Sequence, residues 1–374
     1  MNGLIDPKSI PLSAEAPAGQ QDTLTKHLNC IVQECCHEFE TLEAVILYGG
    51  YGRGEGSWIE DGDNWLPYND YDVVVIVRKK AKADRVVKLR VKLAKMLGIR
   101  WVDLSQKTPA QMKWLRPSIY NYDLRNASTT IYGSKKFCES IPFIKASKLP
   151  LGEILTLFCT RLWPFMGALG QDGFAQGLSD KEACFFRNQM AKATLAAVDV
   201  ILLLEGDYDA SYRVRVNRAC KNPLVSTDDI DLFRWAIGEK LFPLSPKMSG
   251  CEVTKLYNKV YKLFSRVMYK GLSTYFGREI VNVYQLEKAY RRNFSTIIYR
   301  VLYPLLKQSL KFEKVMLSNI VQFYLFAAYQ VDGQVDTNLL RNANYYLLKI
   351  KPTLSKSMSW SEACDAIATI RNNL

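Results

Sequence analysis

The sequence predicts a mixed α/β core followed by an α-helical C-terminal domain. Between residues 40 and 105, short apolar runs typical of β-strands are separated by a helical stretch. Beyond residue 151, apolar residues recur at three- and four-residue steps, which is typical of amphipathic helices. A chain of 374 residues is long enough to bury two such cores. We therefore predict a mobile tail over residues 1–20, a first domain over 21–145 and a helical domain over 151–374.

A glycine-rich turn follows the first predicted strand, which covers residues 44–48 after an N-terminal helix. Gly49, Gly50, Gly52 and Gly54 come directly after this strand. Because glycine has no Cβ and tolerates positive φ, such a turn lets backbone amides approach phosphate groups closely. The turn therefore predicts a phosphate-binding loop.

Two aspartates precede the next apolar run. Asp70 and Asp72 lead into residues 73–77, an aliphatic segment with strand character. Side chains at positions i and i+2 of a strand point to the same face, so both carboxylates can hold divalent cations side by side. Phosphoryl chemistry is the function that this pair and the glycine turn predict together.

A third aspartate follows on the next predicted strand. Residues 84–97 have helical periodicity, and Gly98 is a suitable C-terminal stop. Residues 99–105 then alternate as a strand that carries Asp103. We expect Asp103 to lie beside the Asp70/Asp72 pair, although a solvated position at the end of the strand is the alternative.

The glycine turn and the paired aspartates resemble the nucleotidyltransferase superfamily that includes DNA polymerase β. The Gly-Gly-Tyr-Gly-Arg-Gly-Glu string at residues 49–55 is similar to that of the bacterial protein uridylyltransferases and adenylyltransferases of nitrogen regulation. The resemblance covers residues 40–105. Two departures stand out: residues 57–69 form a longer gap than is usual, and Tyr51 occupies the position where many members have serine.

The resemblance implies roles for the matching residues. Asp70 and Asp72 would bind two Mg²⁺ (or Mn²⁺) ions, and Asp103 would ligate one of them and help to deprotonate the attacking hydroxyl. The residues of the turn would bind the nucleotide triphosphate; they are Gly49, Gly50, Tyr51, Gly52 and Arg53. Arg53 would contact phosphate oxygens or pair with Glu55 to shape the turn, and both readings stay open.

Histidine content excludes several other classes of chemistry. Only His27 and His37 are present, and both lie in the predicted N-terminal helix. A serine-histidine-aspartate hydrolase or a histidine-rich metal site is therefore poorly supported. The His-Asp phosphohydrolase domain of the bacterial uridylyltransferases is excluded for the same reason.

The rest of the chain is predicted to be mainly helical. One more strand is predicted at 129–133, after short helices at 109–115 and 119–124, and residues 140–150 are a candidate linker. Longer helices are predicted at 152–169 with a kink at Pro164, at 179–204, 228–239, 251–276, 284–310, 315–329 and 337–350. The stretch at 179–213 resembles the helical domain that follows the core in many small nucleotidyltransferases, in which Lys192 or Arg187 would reach the triphosphate and Tyr212 would stack on a base. A plain helix-surface role is the alternative for each.

Charge is unevenly distributed along the chain. The net charge is +13, and residues 251–374 hold 18 Lys/Arg against 8 Asp/Glu. A basic, tyrosine-rich surface can follow phosphates and stack bases, which predicts contact with RNA or another polyanion. Alternatively, the lysines solvate the outer faces of helices. The nine cysteines include no C-x-x-C spacing, so we expect reduced thiols in a cytoplasmic protein. The sequence contains no apolar run of about eighteen residues, so we expect no membrane contact.

The predicted function is metal-dependent transfer of an NMP from an NTP to a hydroxyl, with release of pyrophosphate. A protein or an RNA is the expected acceptor. An aminoglycoside-type antibiotic ranks third, because polycationic substrates favour acidic clefts and this chain is basic. The alternative is a catalytically degenerate nucleotide- or RNA-binding module.

Overall fold

The structure is a computed structural model that describes residues 19–61, 64–68, 70–167, 171–223, 225–244, 246–294, 309–329 and 334–372. Most of the predicted tail over residues 1–20 lies outside this range, as does the part of the predicted helix at 284–310 from residue 295 to 308. The strands are β1 (Leu42–Tyr48), β2 (Trp58–Asp61), β3 (Asn64–Pro67), β4 (Tyr71–Val77), β5 (Val102–Lys107) and β6 (Thr129–Gly133).

Helices account for most of the remaining secondary structure. In chain order they are α1 (Gln20–Glu38), α2 (Gly49–Gly52), α3 (Ala83–Leu97), α4 (Pro109–Lys113), α5 (Ile119–Asn126), α6 (Lys136–Glu139), α7 (Gly152–Arg161), α8 (Trp163–Gly167), α9 (Gln171–Gln176), α10 (Asp180–Glu205), α11 (Tyr212–Ala219), α12 (Thr227–Leu241), α13 (Gly250–Phe276), α14 (Val283–Phe294), α15 (Ser309–Ala328), α16 (Thr337–Ile350) and α17 (Trp360–Asn372). The last helix, α17, was not predicted.

A mixed four-stranded sheet lies at the centre of the first part of the chain. Its strand order is β5-β4-β1-β6, in which β4 and β5 are parallel and the other two pairings are antiparallel. Helices cover both faces, so alternate residues of β4 are buried on opposite sides. Val73 and Val75 pack with α1 and α3, while Val74 and Ile76 pack with α4, α5 and α6. The predicted mixed α/β core is confirmed.

The long gap after the glycine turn forms a β-hairpin. Strands β2 and β3 pair in antiparallel register from Trp58↔Pro67 to Asp61↔Asn64. Trp58 is buried, and its ring meets the ring of Tyr51 edge to face, with the centroids 5.6 Å apart. The described residues of the longer gap therefore include two paired strands, one of which packs on the turn through Trp58.

Strand β5 begins three residues later than the sequence predicted. Gly98 ends α3 in the left-handed conformation, with φ 65°. The amide of Ile99 then donates to the carbonyl of Ala94 at 3.1 Å, as in a Schellman motif. Because the amide of Ile99 is used to close the helix, that residue does not join the sheet, and pairing with β4 starts at Val102.

The chain divides into two compact units. The first contains residues 1–150, 205–223 and 237–244, and the second contains 151–204, 224–236 and 245–374. The structure thus differs from the predicted domains, because two segments expected in the helical domain belong to the first unit. Hydrogen bonds from the glycine turn to residues 210–213, described below, account for the first of them.

The second unit consists mainly of helices in the part that the structure describes, with isolated β-bridges at Leu178↔Met248 and Tyr329↔Val335. The predicted helix at 152–169 is split into α7 and α8, with Leu162 between them and Pro164 in the first turn of α8, where proline is tolerated. Aromatic side chains fill the interior around Phe158, whose ring lies 5.9 Å from Phe264 and 5.5 Å from Phe323. None of the helices in the described ranges is long and apolar enough to cross a membrane.

Two glycines of the first unit differ in the space around them: Gly52 lies in the glycine turn and Gly98 ends α3. A Cβ on Gly52 would overlap the carbonyl oxygen of Leu47, whereas a Cβ on Gly98 would meet nothing within 4 Å. Gly98→Ala should cost about 1 kcal/mol, the price of a left-handed alanine. Gly52→Ala should cost more than about 3 kcal/mol, because a backbone oxygen cannot move aside. Urea denaturation of both variants measures the difference, and equal losses would contradict the assigned packing.

Candidate functional site

Asp72 and Asp103 lie opposite each other on neighbouring strands. In the parallel pairing of β4 and β5, Asp72 is the register partner of Asp103. On its other side Asp72 is the register partner of Tyr48, the last residue of β1. Asp70 stands two residues earlier, just before β4 begins. The sheet therefore brings Asp70, Asp72 and Asp103, the three predicted site aspartates, together at the N-terminal end of β4. Their chemical roles stay a prediction.

The electrostatic environment of Asp72 disfavours its ionised form. Burial, with the carboxylates of Asp70 and Asp103 as further causes, raises the pKa of Asp72 from 3.8 to about 7. The positive charges of Lys240 and Arg53 oppose this shift. A cation placed among these carboxylates would remove the repulsion, so the site is chemically suited to bind positive charge.

Asp103 is already engaged by an arginine of α3. Nη2 of Arg90 lies 3.3 Å from Oδ1 of Asp103, and the same guanidinium donates to the carbonyl of Leu104. The Asp103 side chain is 41% exposed. Within the described residues, no three His, Cys, Asp or Glu side chains form a group that could hold a metal ion. Mg²⁺ is commonly held by one or two carboxylates plus substrate phosphates, so the pair Asp70 and Asp72 fits such an ion by donor type.

The glycines of the turn are explained by contacts within the protein. Gly49 has φ 65°, and a Cβ there would overlap the carboxylate of Asp72. A Cβ on Gly50 would lie 2.9 Å from the carbonyl oxygen of Glu55, and Gly52 is confined by the carbonyl of Leu47. From the sequence, we predict that these glycines allow the close approach of phosphate. Within the turn, positive φ occurs at Gly49 and Gly54, and phosphate binding by the turn stays a prediction.

The Glu55 carboxylate is buried at the N-terminus of α11. Its Oε1 accepts from Oγ of Ser211 at 2.7 Å and from the amide of Arg213 at 3.1 Å, and its Oε2 accepts from the amide of Tyr212 at 2.8 Å. Only 4% of Glu55 is exposed. Free amides at a helix N-terminus favour negative charge. Glu55 therefore attaches the glycine turn to a segment some 156 residues further along the chain.

Arg53 completes the same attachment. Nη1 of Arg53 donates to Oδ2 of Asp123 at 3.0 Å and to the carbonyl of Ala210 at 2.5 Å. Its Nε lies 3.6 Å from Oε2 of Glu55, and the side chain is 7% exposed. Of the two roles left open by the sequence, the ion pair with Glu55 is therefore present in the structure. Contact of Arg53 with phosphate stays a prediction.

Tyr51 and Tyr212, which were also predicted to bind nucleotide, both contact other groups of the protein. Tyr51 is buried, and its hydroxyl donates to the carbonyl of Ser57 at 2.5 Å, so its side chain belongs to the core. The Tyr212 ring lies 4.6 Å from the guanidinium carbon of Arg53 and 4.2 Å from that of Arg215. These contacts account for Tyr212 without a base, and base stacking stays a prediction.

The lysine whose charge acts on Asp72 is Lys240. It lies in the last turn of α12, in the first unit, and only 7% of it is exposed. Nζ of Lys240 donates to Oγ of Ser57 at 3.0 Å, and its charge lowers the pKa of Asp72. The predicted Lys192 lies on α10 in the second unit, and its role stays a prediction. Sequence periodicity gave no sign of Lys240, because Ser57 is 183 residues away.

Tyrosines and a lysine border the carboxylates on the same face of the sheet. The rings of Tyr48 and Tyr120 meet edge to face with centroids 5.3 Å apart. Lys107 of β5 holds its ammonium 5.6 Å from the centre of the Tyr120 ring, and burial lowers its pKa. None of the three was predicted. Tyr48 had one usable signal, since it ends β1 directly before the glycines.

Comparison with known proteins gives only distant structural matches. No family model matches the chain, and no curated protein matches it. A structure of tri-AMPylated Shewanella oneidensis HEPN toxin in complex with MNT antitoxin matches at 17% identity over 30% of this chain and 76% of that chain, with a TM-score of 0.22. A toxin-antitoxin structure with AMP-PNP matches at 16% identity over 30% and 77% of the two chains, with the same TM-score.

A third match covers more of the chain. Spectinomycin adenyltransferase from Enterococcus faecialis, in a structure with ATP and spectinomycin, matches at 12% identity over 65% of this chain and 98% of that chain, with a TM-score of 0.41. All three TM-scores are below 0.5 and all three identities are below 20%.

The raised pKa of Asp72 predicts a pH-dependent gain in stability when the carboxyl is replaced. Between pH 4 and pH 7 the unfolded chain loses a proton from Asp72 that the folded protein keeps, so this group lowers stability as pH rises. Asp72→Asn should therefore raise the free energy of unfolding by up to about 4 kcal/mol at pH 8 and by much less at pH 4.5. Urea denaturation with a chelator present measures both values. The exposed Asp84→Asn is the control, and a pH-independent gain in Asp72→Asn would contradict the assignment.

The hydrogen bonds of Glu55 to the start of α11 predict that Glu55→Gln lowers the stability of the protein markedly. Glu55→Gln removes the charge from the N-terminus of α11 and presents an amide group to its donors, so we expect a loss of about 2 kcal/mol. Glu60→Gln, at an exposed position of β2, should stay within about 0.5 kcal/mol of the parent. Thermal unfolding of the two variants decides the point. A loss no larger than that of Glu60→Gln would mean that Glu55 does not hold α11.

Proposed function

We propose that the first unit transfers a nucleoside monophosphate from an NTP to a hydroxyl and releases pyrophosphate. The observation that supports this most strongly is the position of Asp72. Its carboxylate lies against Gly49 of the glycine turn, opposite Asp103, and its pKa is raised by burial and, in addition, by the carboxylates of Asp70 and Asp103. A site with this charge balance is suited to a cation-bound triphosphate.

Several residues would take part in the reaction. Asp70 and Asp72 would hold Mg²⁺ or Mn²⁺, which when bound offsets charge on the triphosphate and on the departing pyrophosphate. The acceptor oxygen forms a bond to the α-phosphorus as the bond to pyrophosphate breaks, and Asp103 would accept the proton of the attacking hydroxyl. Lys240 would offset further phosphate charge, because its ammonium already acts on Asp72.

Protein and RNA hydroxyls are the proposed acceptors. The chain carries a net charge of +13, which favours anionic partners over polycationic ones. An aminoglycoside-type acceptor ranks third for that reason. Contact of residues 251–374 with RNA or another polyanion is part of the proposal and does not depend on catalysis.

A binding module without catalysis is the second candidate. The observation that favours it is the ion pair of Asp103 with Arg90, which occupies the carboxylate proposed as proton acceptor. In that case the first unit would bind an NTP and cation but transfer nothing. The two candidates differ in turnover, and they do not differ in nucleotide affinity.

Labelled NTPs test the proposal. Pure protein is incubated with each labelled NTP, Mg²⁺ or Mn²⁺, and a lysate that is then split into protein and RNA. We expect label in one of the fractions, and Asp72→Asn should reduce transfer at least about 100-fold because an essential cation ligand is lost. Asp84→Asn, an exposed aspartate of the same unit, should transfer as the parent does.

Three outcomes of this experiment carry different conclusions. Label in the protein or the RNA fraction identifies the acceptor class. Substantial transfer by Asp72→Asn would contradict the metal assignment. NTP binding without label in either fraction, for every NTP, would favour the binding module.

A further inference from the structure

A charged groove runs between α12 and α13 in the second unit. It consists of two adjacent cavities of about 530 and 340 Å³ that share Asp228, Leu232 and Lys259 in their walls. Cavities of this size are typical of ligand sites. Every residue that lines them belongs to the second unit, so the groove is independent of the aspartates on the sheet.

One wall of the groove is a row of cations on α13, here called the cationic row. Lys255, Lys259, Lys262 and Arg266 are separated by four, three and four residues, so they lie on one face of the helix. All four are exposed. At 1.5 Å per residue the cationic row is about 16 Å long, with neighbouring charges about one helical turn apart.

Like charges at this spacing destabilise a helix by a few tenths of a kcal/mol per pair. A solvated helix face usually interleaves charges of both signs, but on this face of α13 the one acidic neighbour is Glu252, which accepts from Ser249 in the capping box of α13. Asp229 of the opposite wall is already bonded to Arg266 at 2.7 Å. A bound anion would relieve the repulsion along the cationic row.

The opposite wall supplies an aromatic ring and two further carboxylates. Trp235 of α12 is partly exposed, and the guanidinium carbon of Arg187 lies 5.7 Å from its ring. Asp228 and Asp231 are exposed on the same helix and face the cationic row across the groove. A tryptophan beside cations suits a nucleobase. Carboxylates are acceptors for hydroxyl donors, which the 2′-position of ribose supplies.

We propose that this groove binds a short single strand of RNA. Phosphates lie along the cationic row, a base lies against Trp235, and ribose 2′-hydroxyls donate to Asp228 and Asp231. This arrangement uses both walls, whereas a plain polyanion would use one wall and be repelled by the other. The inference rests on the second unit alone and holds whether or not the first unit transfers nucleotides.

Fluorescence anisotropy of the full chain with a labelled 12-nucleotide RNA, without NTP, tests the cationic row. The triple variant Lys255→Gln, Lys259→Gln and Lys262→Gln should bind at least tenfold more weakly. Its slope of log K against log salt concentration should fall by about 2, because three single-strand phosphate contacts are lost. The control replaces three exposed lysines of the same unit outside the groove, Lys181, Lys351 and Lys356, by Gln. Equal behaviour of the two triple variants would overturn the proposal.

A second comparison tests the base and the ribose. Trp235→Leu should weaken binding about tenfold, while Trp235→Phe should retain most of it, since a stacked base is tolerant of the aromatic partner. The parent should prefer RNA to DNA of the same sequence, and the double variant Asp228→Ala and Asp231→Ala should lose that preference, mainly by binding DNA better. Binding of a polyglutamate peptide of equal charge as tightly as RNA would show that the groove is a general anion site and would overturn the assignment.

Discussion

The candidate site depends on one close contact, between the backbone of Gly49 and the carboxylate of Asp72. A side chain on residue 49 would occupy the space that the carboxylate fills, and the left-handed φ of Gly49 turns the chain sharply at the end of β1. The turn can therefore lie directly against β4, where Asp72 faces Asp103. The same closeness buries Asp72 beside other carboxylates and raises its pKa, so the geometry that assembles the site also makes it attract cations.

The second half of the glycine motif has a different physical role from the first. Gly49 lets the turn pack on β4, and Gly50 lets it pack against the backbone of Glu55. Arg53 and Glu55 bind residues at the start of α11. The buried Glu55 carboxylate finds its three donors, and Nη1 of the buried Arg53 finds the carbonyl of Ala210, only when both segments are in place. This explains why residues 205–223 fold with the first unit although they lie beyond a long helix of the second.

The sequence predicts the sheet and the meeting of Asp72 with Asp103 because both follow from local patterns. Short apolar runs mark β1 and β4, alternation marks β5, and two parallel strands joined by a helix commonly pair as neighbours. The partners of Glu55 and of Lys240 could not be predicted, because they lie 156 to 183 residues away and no spacing encodes them. The resemblance to small nucleotidyltransferases suggested Lys192 as a triphosphate-binding residue, whereas the lysine charge that acts on Asp72 comes from the last turn of α12. The start of β5 was missed because the cap at Gly98 takes the amide of Ile99.

The most direct test of the central proposal is the release of pyrophosphate by the pure protein from each NTP, with Mg²⁺ or with a chelator, in the presence of a protein or RNA acceptor. If the carboxylates at the edge of β4 hold the cation of a nucleotidyl-transfer site, pyrophosphate should appear with at least one NTP, only with the metal and in proportion to the acceptor modified. Tight NTP binding with no pyrophosphate from any NTP or acceptor, or release that persists unchanged in the chelator, would contradict it.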